Sequence, residues 1–202
     1  APYGDGTINA RRVTSFKSWW TGQMLMQNVS LREKMVLFWH NHFATETAVI
    51  SDARFIFKQN NLFRTLAFGS FKEMVKQITI DPGMLRYLNG YLNTKTAPDE
   101  NYGRELQELF TMGKGPNAKF TEADVKAAAR LLTGYRVDSV AITSIFDTTR
   151  HDTTDKQFSA FYNNKLNRLI LARDRAGIKP LYIGTGEEGI VYSSQYDHII
   201  NH

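Results

Sequence analysis

The feature that most constrains the fold of this chain is a series of helix start and stop signals between residues 15 and 134. A hydroxyl residue followed three positions later by a carboxylate matches a capping box, in which both side chains satisfy free backbone N–H groups. This spacing predicts three helices. It occurs at Ser30 with Glu33, at Ser70 with Glu73, and at Thr121 with Asp124.

Proline and glycine positions delimit further helices. Asp81 followed by Pro82, and separately Pro98, predict helix starts, because proline at the first helical position gives up only an N–H that has no partner there. Two earlier helices are expected at about 15–27 and 51–66. The predicted helix ends are Gly90, Gly113 and Gly134. The predicted fold is therefore mainly α, a multi-helical domain with a short β-rich C-terminal tail.

The β-rich tail is predicted from a change of pattern after Tyr135. β-branched and aromatic residues within 137–146 favour strands or irregular structure. The strand-like runs beyond it are 169–172, 181–183 and 190–192, with a turn at 184–189. The change of character near Asn164 predicts two incomplete domains, a helical segment at 1–163 and a β fragment at 164–202.

Composition narrows the classes of function. The chain has no Cys, which excludes disulfides, thiolate zinc sites and cysteine nucleophiles. Its longest unbroken apolar run, 35–39, is far shorter than the roughly 20 residues that span a bilayer, so no membrane span is expected. The net charge of +5 is spread singly among acidic residues rather than gathered into a patch, which argues against a nucleic-acid partner.

Two histidines near the end of a predicted helix form the first candidate site. They lie in segment 38–43, with sequence FWHNHF, where His42 continues the apolar face of the helix. His40 lies about 200° away around a helix, so the two imidazoles cannot face one metal unless the helix ends or distorts there. The structural alternative is a buried, hydrogen-bonded His42 with His40 on the surface or against a neighbouring helix.

A pair of acidic residues forms the second candidate site. Glu105 flanks an apolar helical face, and Glu108 lies about 60° further round on the same side. A carboxylate beside a core surface needs a partner, and that partner is a metal, a histidine or an arginine. The candidate arginines are Arg64, Arg86, Arg104 and Arg130.

A polar segment after Phe146 forms the third candidate site. It contains His151 next to Asp152, a pair found in metal sites, in general bases with an orienting acid, and in ordinary polar turns. The other polar residues of the segment are Asp147, Arg150 and Lys156.

Taken in order, these motifs resemble the bacterial family catalogued as domain of unknown function 1800. The resemblance rests on segments 33–43, 101–110 and 124–135 and on the His151-Asp152 pair, and it covers most of residues 15–163. It implies that the chain is an internal portion of a longer protein, that it comes from an exported or envelope-associated bacterial protein, and that the histidine and glutamate motifs are family signatures. The resemblance implies no reaction.

The tail is similar to the glutaminase domain of asparagine synthetase. The similarity rests on segment 169–182, with sequence LILARDRAGIKPLY, and on 192–194, and it covers roughly 165–202. In that family the nucleophile is an amino-terminal cysteine, and Gln195 stands where the family usually has Glu. The resemblance therefore implies a fragment related to asparagine synthetase that is inactive here.

The leading functional hypothesis is a helical fragment of an uncharacterised family with a polar or divalent-metal site. The proposed ligands are His42, Glu105, His151 and Asp152, with His40 and Glu108 as secondary candidates. One alternative is a metal-dependent hydrolase, which needs an open coordination position for a water. The other is a protein interaction module with an exposed aromatic patch. The proposed patch residues are Trp19, Trp20 and Tyr91.

Overall fold

The structure, a computed structural model, describes residues 6–115, 118 and 120–154, together with the backbone of two short strands in the tail. Its contacts divide the chain into two compact units, Ala1–Phe161 and Tyr162–His202. Within the described part, no helix is both long and apolar enough to cross a membrane. The predicted boundary between 163 and 164 stays a prediction.

The described part of the first unit holds eight α-helices, so the prediction of a mainly α, multi-helical fold is confirmed. They are α1 (Gly6–Met26), α2 (Arg32–His42), α3 (Thr47–Ile50), α4 (Ala53–Thr65), α5 (Phe71–Thr79), α6 (Pro82–Tyr87), α7 (Glu100–Glu105) and α8 (Glu122–Leu131). Short 3-10 turns lie at Gly90–Leu92 and Thr148–Arg150.

Most of the predicted helix starts are confirmed. Thr121 and Asp124 form a full capping box at α8, and the Ser70 hydroxyl accepts a hydrogen bond from the backbone N–H of Glu73 at α5. Asp81 caps α6, since its Oδ2 accepts a hydrogen bond from the backbone N–H of Met84 at 2.9 Å.

Two predicted starts are wrong in detail. Helix α2 begins at Arg32 without a capping box, because the Glu33 carboxylate binds partners on other helices instead of reaching back to Ser30. Helix α7 begins after Asp99, whose side chain accepts a hydrogen bond from a backbone N–H, rather than at Pro98.

The predicted helix from 98 to 113 changes its winding part way along. Helix α7 continues directly into a π-helical segment, Leu106–Thr111, in which the backbone N–H of Met112 donates to the carbonyl of Gln107 at 2.8 Å. The wider winding moves carbonyl groups out of the ordinary helical pattern, and such segments are frequent at functional sites. Gly113 ends the segment with a φ of 83°, as predicted.

The predicted stop at Gly90 is wrong. Helix α6 already ends at Tyr87, and the left-handed residue that follows is Asn89, with a φ of 58°. Gly90 is instead a close-packing position, because a Cβ there would lie 2.8 Å from side-chain atoms of both Leu85 and Tyr102.

Two antiparallel hairpins supply the β structure. Strands β1 (Tyr135–Asp138) and β2 (Thr143–Phe146) pair within the first unit, and β3 (Tyr182–Gly186) and β4 (Gly189–Ser193) pair within the second. The predicted turn at 184–189 is shorter than expected, because the pairing extends to Gly186 and Gly189. The predicted strand at 169–172 lies outside the described residues.

The core of the helical unit centres on Phe43, which is 0% exposed just after α2. The centre of its ring lies 5.2 Å from that of Phe110, 5.9 Å from that of Phe63 and 6.3 Å from that of Phe71. These rings come from the π-helical segment, α4 and α5. One aromatic cluster therefore fixes α2 against three other elements.

We expect Phe43→Ala to lower the free energy of unfolding by about 3–5 kcal/mol, because a buried ring is replaced by a cavity. The matched control is Phe68→Ala, since Phe68 is 59% exposed and should change stability by no more than about 0.5 kcal/mol. Urea unfolding of the full chain measures both. Equal losses for the two variants would contradict the placement of Phe43.

Candidate functional site

His42 is held at the junction between α2 and the π-helical segment. Its Nε2 lies 2.8 Å from the carbonyl oxygen of Phe110. A carbonyl only accepts hydrogen bonds, so Nε2 carries the proton and has no lone pair for a metal while this bond exists. Burial lowers the pKa of His42, and the bond to the carbonyl acts in the opposite direction. This arrangement matches the structural alternative predicted for His42, a buried histidine held by a hydrogen bond.

The two glutamates of the second candidate site behave differently. Glu108 forms ion pairs with Arg104 at 3.7 Å and with Lys114 at 3.4 Å. Glu105 is half-buried, and within the described part of the chain it has no hydrogen-bond or ion-pair partner. An arginine thus satisfies one carboxylate of the pair, while the other remains without a local partner among these residues.

His151 and Asp152 connect the segment after β2 to the end of α8. The Nδ1 of His151 lies 2.9 Å from the carbonyl oxygen of Thr133. Asp152 accepts a hydrogen bond from Nε of Arg130 at 2.6 Å, and this charged partner holds the pKa of Asp152 well below its usual range. Nearby, Asp147 caps the 3-10 turn through Thr149. These contacts are those of a polar turn.

The contacts described above do not join the four proposed metal ligands at one centre. Among residues 6–115, 118 and 120–154, no group of three or more His, Asp or Glu side chains is placed to hold a metal ion. His42 and His151 each donate a hydrogen bond from one ring nitrogen to a backbone carbonyl, and the carboxylate of Asp152 is paired with Arg130, which a metal would have to displace. The shared metal site stays a prediction, and Lys156 lies outside the described residues.

A polar network that no sequence motif predicts joins α1, α2 and α4. Glu33 is 4% exposed, and its two carboxylate oxygens accept hydrogen bonds from Nε of Arg64 at 2.7 Å and from its Nη2 at 2.9 Å. The indole N–H of Trp20 donates to the same carboxylate at 2.8 Å. Hydrogen bonding to Arg64 is the main cause that lowers the pKa of Glu33.

His40 belongs to the same network. Its Nε2 lies 3.0 Å from Nδ2 of Asn60 on α4, and its ring centre lies 4.8 Å from that of Trp20 on α1. Burial, together with the charge of Arg64, lowers the pKa of His40 to about 4. His40 therefore packs against neighbouring helices as a neutral imidazole, which is one of the alternatives expected for it.

An open groove of about 640 Å³ lies between α1 and α4. We call it the α1–α4 groove. Its aromatic lining residues are Phe16, Trp19 and Phe57, and its charged lining residues are Arg11, Arg12 and Arg54. The remaining lining residues are Ile8, Ser15 and Ala53.

The groove contains part of the predicted aromatic patch. Trp19 is 38% exposed and Phe57 is 44% exposed, with their ring centres 5.3 Å apart. Trp20 and Tyr91 do not line the groove, because Trp20 is turned to Glu33 and Tyr91 lies in the turn after α6. The sequence contains one signal for the groove: Phe16 and Trp19 are three positions apart, so they lie on the same side of α1.

We expect Glu33→Gln to lower the free energy of unfolding by about 2–4 kcal/mol, because it leaves the guanidinium of Arg64 partly buried without its charged partner. Glu46→Gln is the matched control, since Glu46 is exposed and should have an effect within about 0.5 kcal/mol. Urea unfolding at neutral pH measures both variants. A Glu33→Gln protein as stable as the control would contradict the network.

We expect His40→Gln to weaken the loss of stability that accompanies acidification. The folded pKa of about 4 lies below the ordinary value of 6.5, so between these values the unfolded chain binds a proton that the folded chain excludes, and stability falls as the pH falls. The variant lacks this contribution and should lose about 2 kcal/mol less than the wild type between pH 7 and pH 4.5. Glu33 and Asp81 titrate in both proteins, so the difference between their urea-unfolding curves isolates His40. Parallel pH profiles would rule out a neutral, buried His40.

Comparison with known proteins gives two family matches. A family described as a protein of unknown function, DUF1800, matches residues 6–172, and a glutamine amidotransferase domain matches residues 156–201. Both resemblances expected from the sequence are therefore confirmed. No curated protein and no solved structure matches the chain. Since the first match covers most of its length, the chain belongs to the DUF1800 family of proteins of unknown function.

Proposed function

We propose that the helical unit is a binding module and that the α1–α4 groove receives its ligand. The observation that carries this proposal is a groove of about 640 Å³ with three aromatic side chains in its lining. Ligand pockets are typically about 300–1,000 Å³ and mostly apolar, with a few polar groups that fix orientation. Large aromatic side chains left open to solvent in one place also mark interaction surfaces.

The chemistry of the groove favours binding over catalysis. Among the described residues that line it, none is a His, Asp or Glu, so the lining supplies no general base and no carboxylate or imidazole ligand for a metal. Ser15 supplies a hydroxyl, but no base from this set activates it. The metal-dependent hydrolase, which needs His42, Glu105 and His151 together, has weaker support than the binding module.

Contacts behind the groove hold its two walls in place. The side-chain oxygen of Asn9 accepts a hydrogen bond from the backbone N–H of Ala53 at 2.8 Å, which joins the first turns of α1 to the start of α4. The guanidinium carbon of Arg64 lies 5.0 Å from the ring centre of Trp19. These contacts favour a site that exists before the ligand arrives, which reduces the ordering cost of binding.

The amidotransferase-like tail adds no catalysis in this proposal. The resemblance implies a cysteine nucleophile, and the chain contains no Cys. The binding function is therefore assigned to the helical unit alone.

We expect the full chain to bind the neutral fluorophore phenylnaphthylamine, whose emission rises in apolar surroundings, and Phe57→Ala to weaken that binding about tenfold by removing one aromatic wall. The matched control is Phe68→Ala, since Phe68 is exposed outside the groove. Fluorescence titration, with helical content checked by circular dichroism, measures both variants. Absence of binding, or equal weakening by the two substitutions, would overturn the proposed site.

A further inference from the structure

We infer that the ligand of the α1–α4 groove is an organic anion with a flat apolar body, such as an aromatic sulfonate, carboxylate or phosphate. This inference rests on the proposed function and specifies the chemistry of the ligand. It is carried by the charged residues of the lining, which among the described residues are all arginines: Arg11, Arg12 and Arg54.

Two of these arginines form no ion pair with another described residue of the chain. Arg11 is exposed and Arg12 is half-buried, and within the described part of the chain neither has a hydrogen-bond or ion-pair partner. Helix α1 contains no Asp or Glu at all, while it carries Arg11, Arg12 and Lys17. The part of α1 that lines the groove therefore carries two positive charges and no negative charge.

The third arginine is fixed in place. Arg54 forms an ion pair with Asp52 at 2.6 Å, and its Nη2 also donates to the carbonyl of Ser139 at 3.0 Å. Because Asp52 already offsets the charge of Arg54, the net positive charge of the groove comes from Arg11 and Arg12. Arg54 acts as a rigid planar edge of the lining rather than as the main anion-binding group.

Guanidinium groups next to aromatic rings match one kind of ligand. An arginine binds a carboxylate, sulfonate or phosphate through paired N–H groups, and exposed rings cover the apolar body of the same molecule. The ring centres of Phe16, Trp19 and Phe57 lie 5.3–6.4 Å from one another, which gives edges and faces suited to a second aromatic system. A neutral ligand gains no charge-assisted hydrogen bond from Arg11 and Arg12, so it should bind more weakly.

The test compares two probes that share the same anilinonaphthalene body. Anilinonaphthalene sulfonate carries one negative charge, and phenylnaphthylamine lacks it. We expect the full chain to bind the sulfonate at least about tenfold more tightly, and the double variant Arg11→Gln/Arg12→Gln to abolish this preference by weakening the binding of the sulfonate.

The control for overall charge is Lys17→Gln/Lys34→Gln, which removes the same two positive charges from exposed positions outside the lining. It should keep the preference for the sulfonate. Equal affinities of the wild type for the two probes, or equal effects of the arginine and lysine pairs, would overturn the inference while leaving the proposed binding site intact. Failure of both probes to bind would overturn both.

The test must also distinguish a small ligand in the groove from a second copy of the chain. If the groove were an interface between copies, probe affinity would fall as the protein concentration rises, and this result would also overturn the inference. Affinity that is independent of protein concentration, with the charge preference described above, supports a small organic anion.

Discussion

The ion pair between Glu33 and Arg64, with the indole of Trp20 as its third member, is the interaction on which the arrangement of α1 depends. No residue of α1 is fully buried, although the helix is 21 residues long. Helices in proteins gain most of their stability from tertiary packing rather than from propensity. A few specific contacts to α2 and α4 must therefore hold α1, and the indole N–H of Trp20 makes one of them with the buried carboxylate that Arg64 also binds. Loss of that attachment would loosen one wall of the α1–α4 groove.

Local signals predicted the helical architecture well, because capping chemistry acts between residues close in sequence. The capping box at Thr121 and Asp124 and the Asp81-Pro82 start both depend on neighbours three positions apart at most. The predicted capping box at Ser30 failed because a distant partner competed for a side chain. Glu33 has the spacing for a box with Ser30, but the guanidinium of Arg64, 31 positions away, is its partner.

The candidate site was less predictable for the same reason. Sequence spacing identified His42, His151 and Asp152 as polar groups that need partners, and each has one. It could not identify the partners of the two histidines, because a backbone carbonyl of the π-helical segment and the backbone at Thr133 carry no residue-specific signal. The α1–α4 groove depends on the packing of α1 against α4, so only Trp19 of its lining was proposed beforehand.

Hydrogen–deuterium exchange of the full chain, with and without Glu33→Gln, tests most directly whether this ion pair holds α1 in place. Exchange reports the free energy of local opening segment by segment. We predict that the variant loses protection along α1 (Gly6–Met26), while α8 (Glu122–Leu131), which within the described residues makes no hydrogen bond to the network, keeps its protection. Unchanged protection in α1, or an equal loss in both helices, would contradict the account.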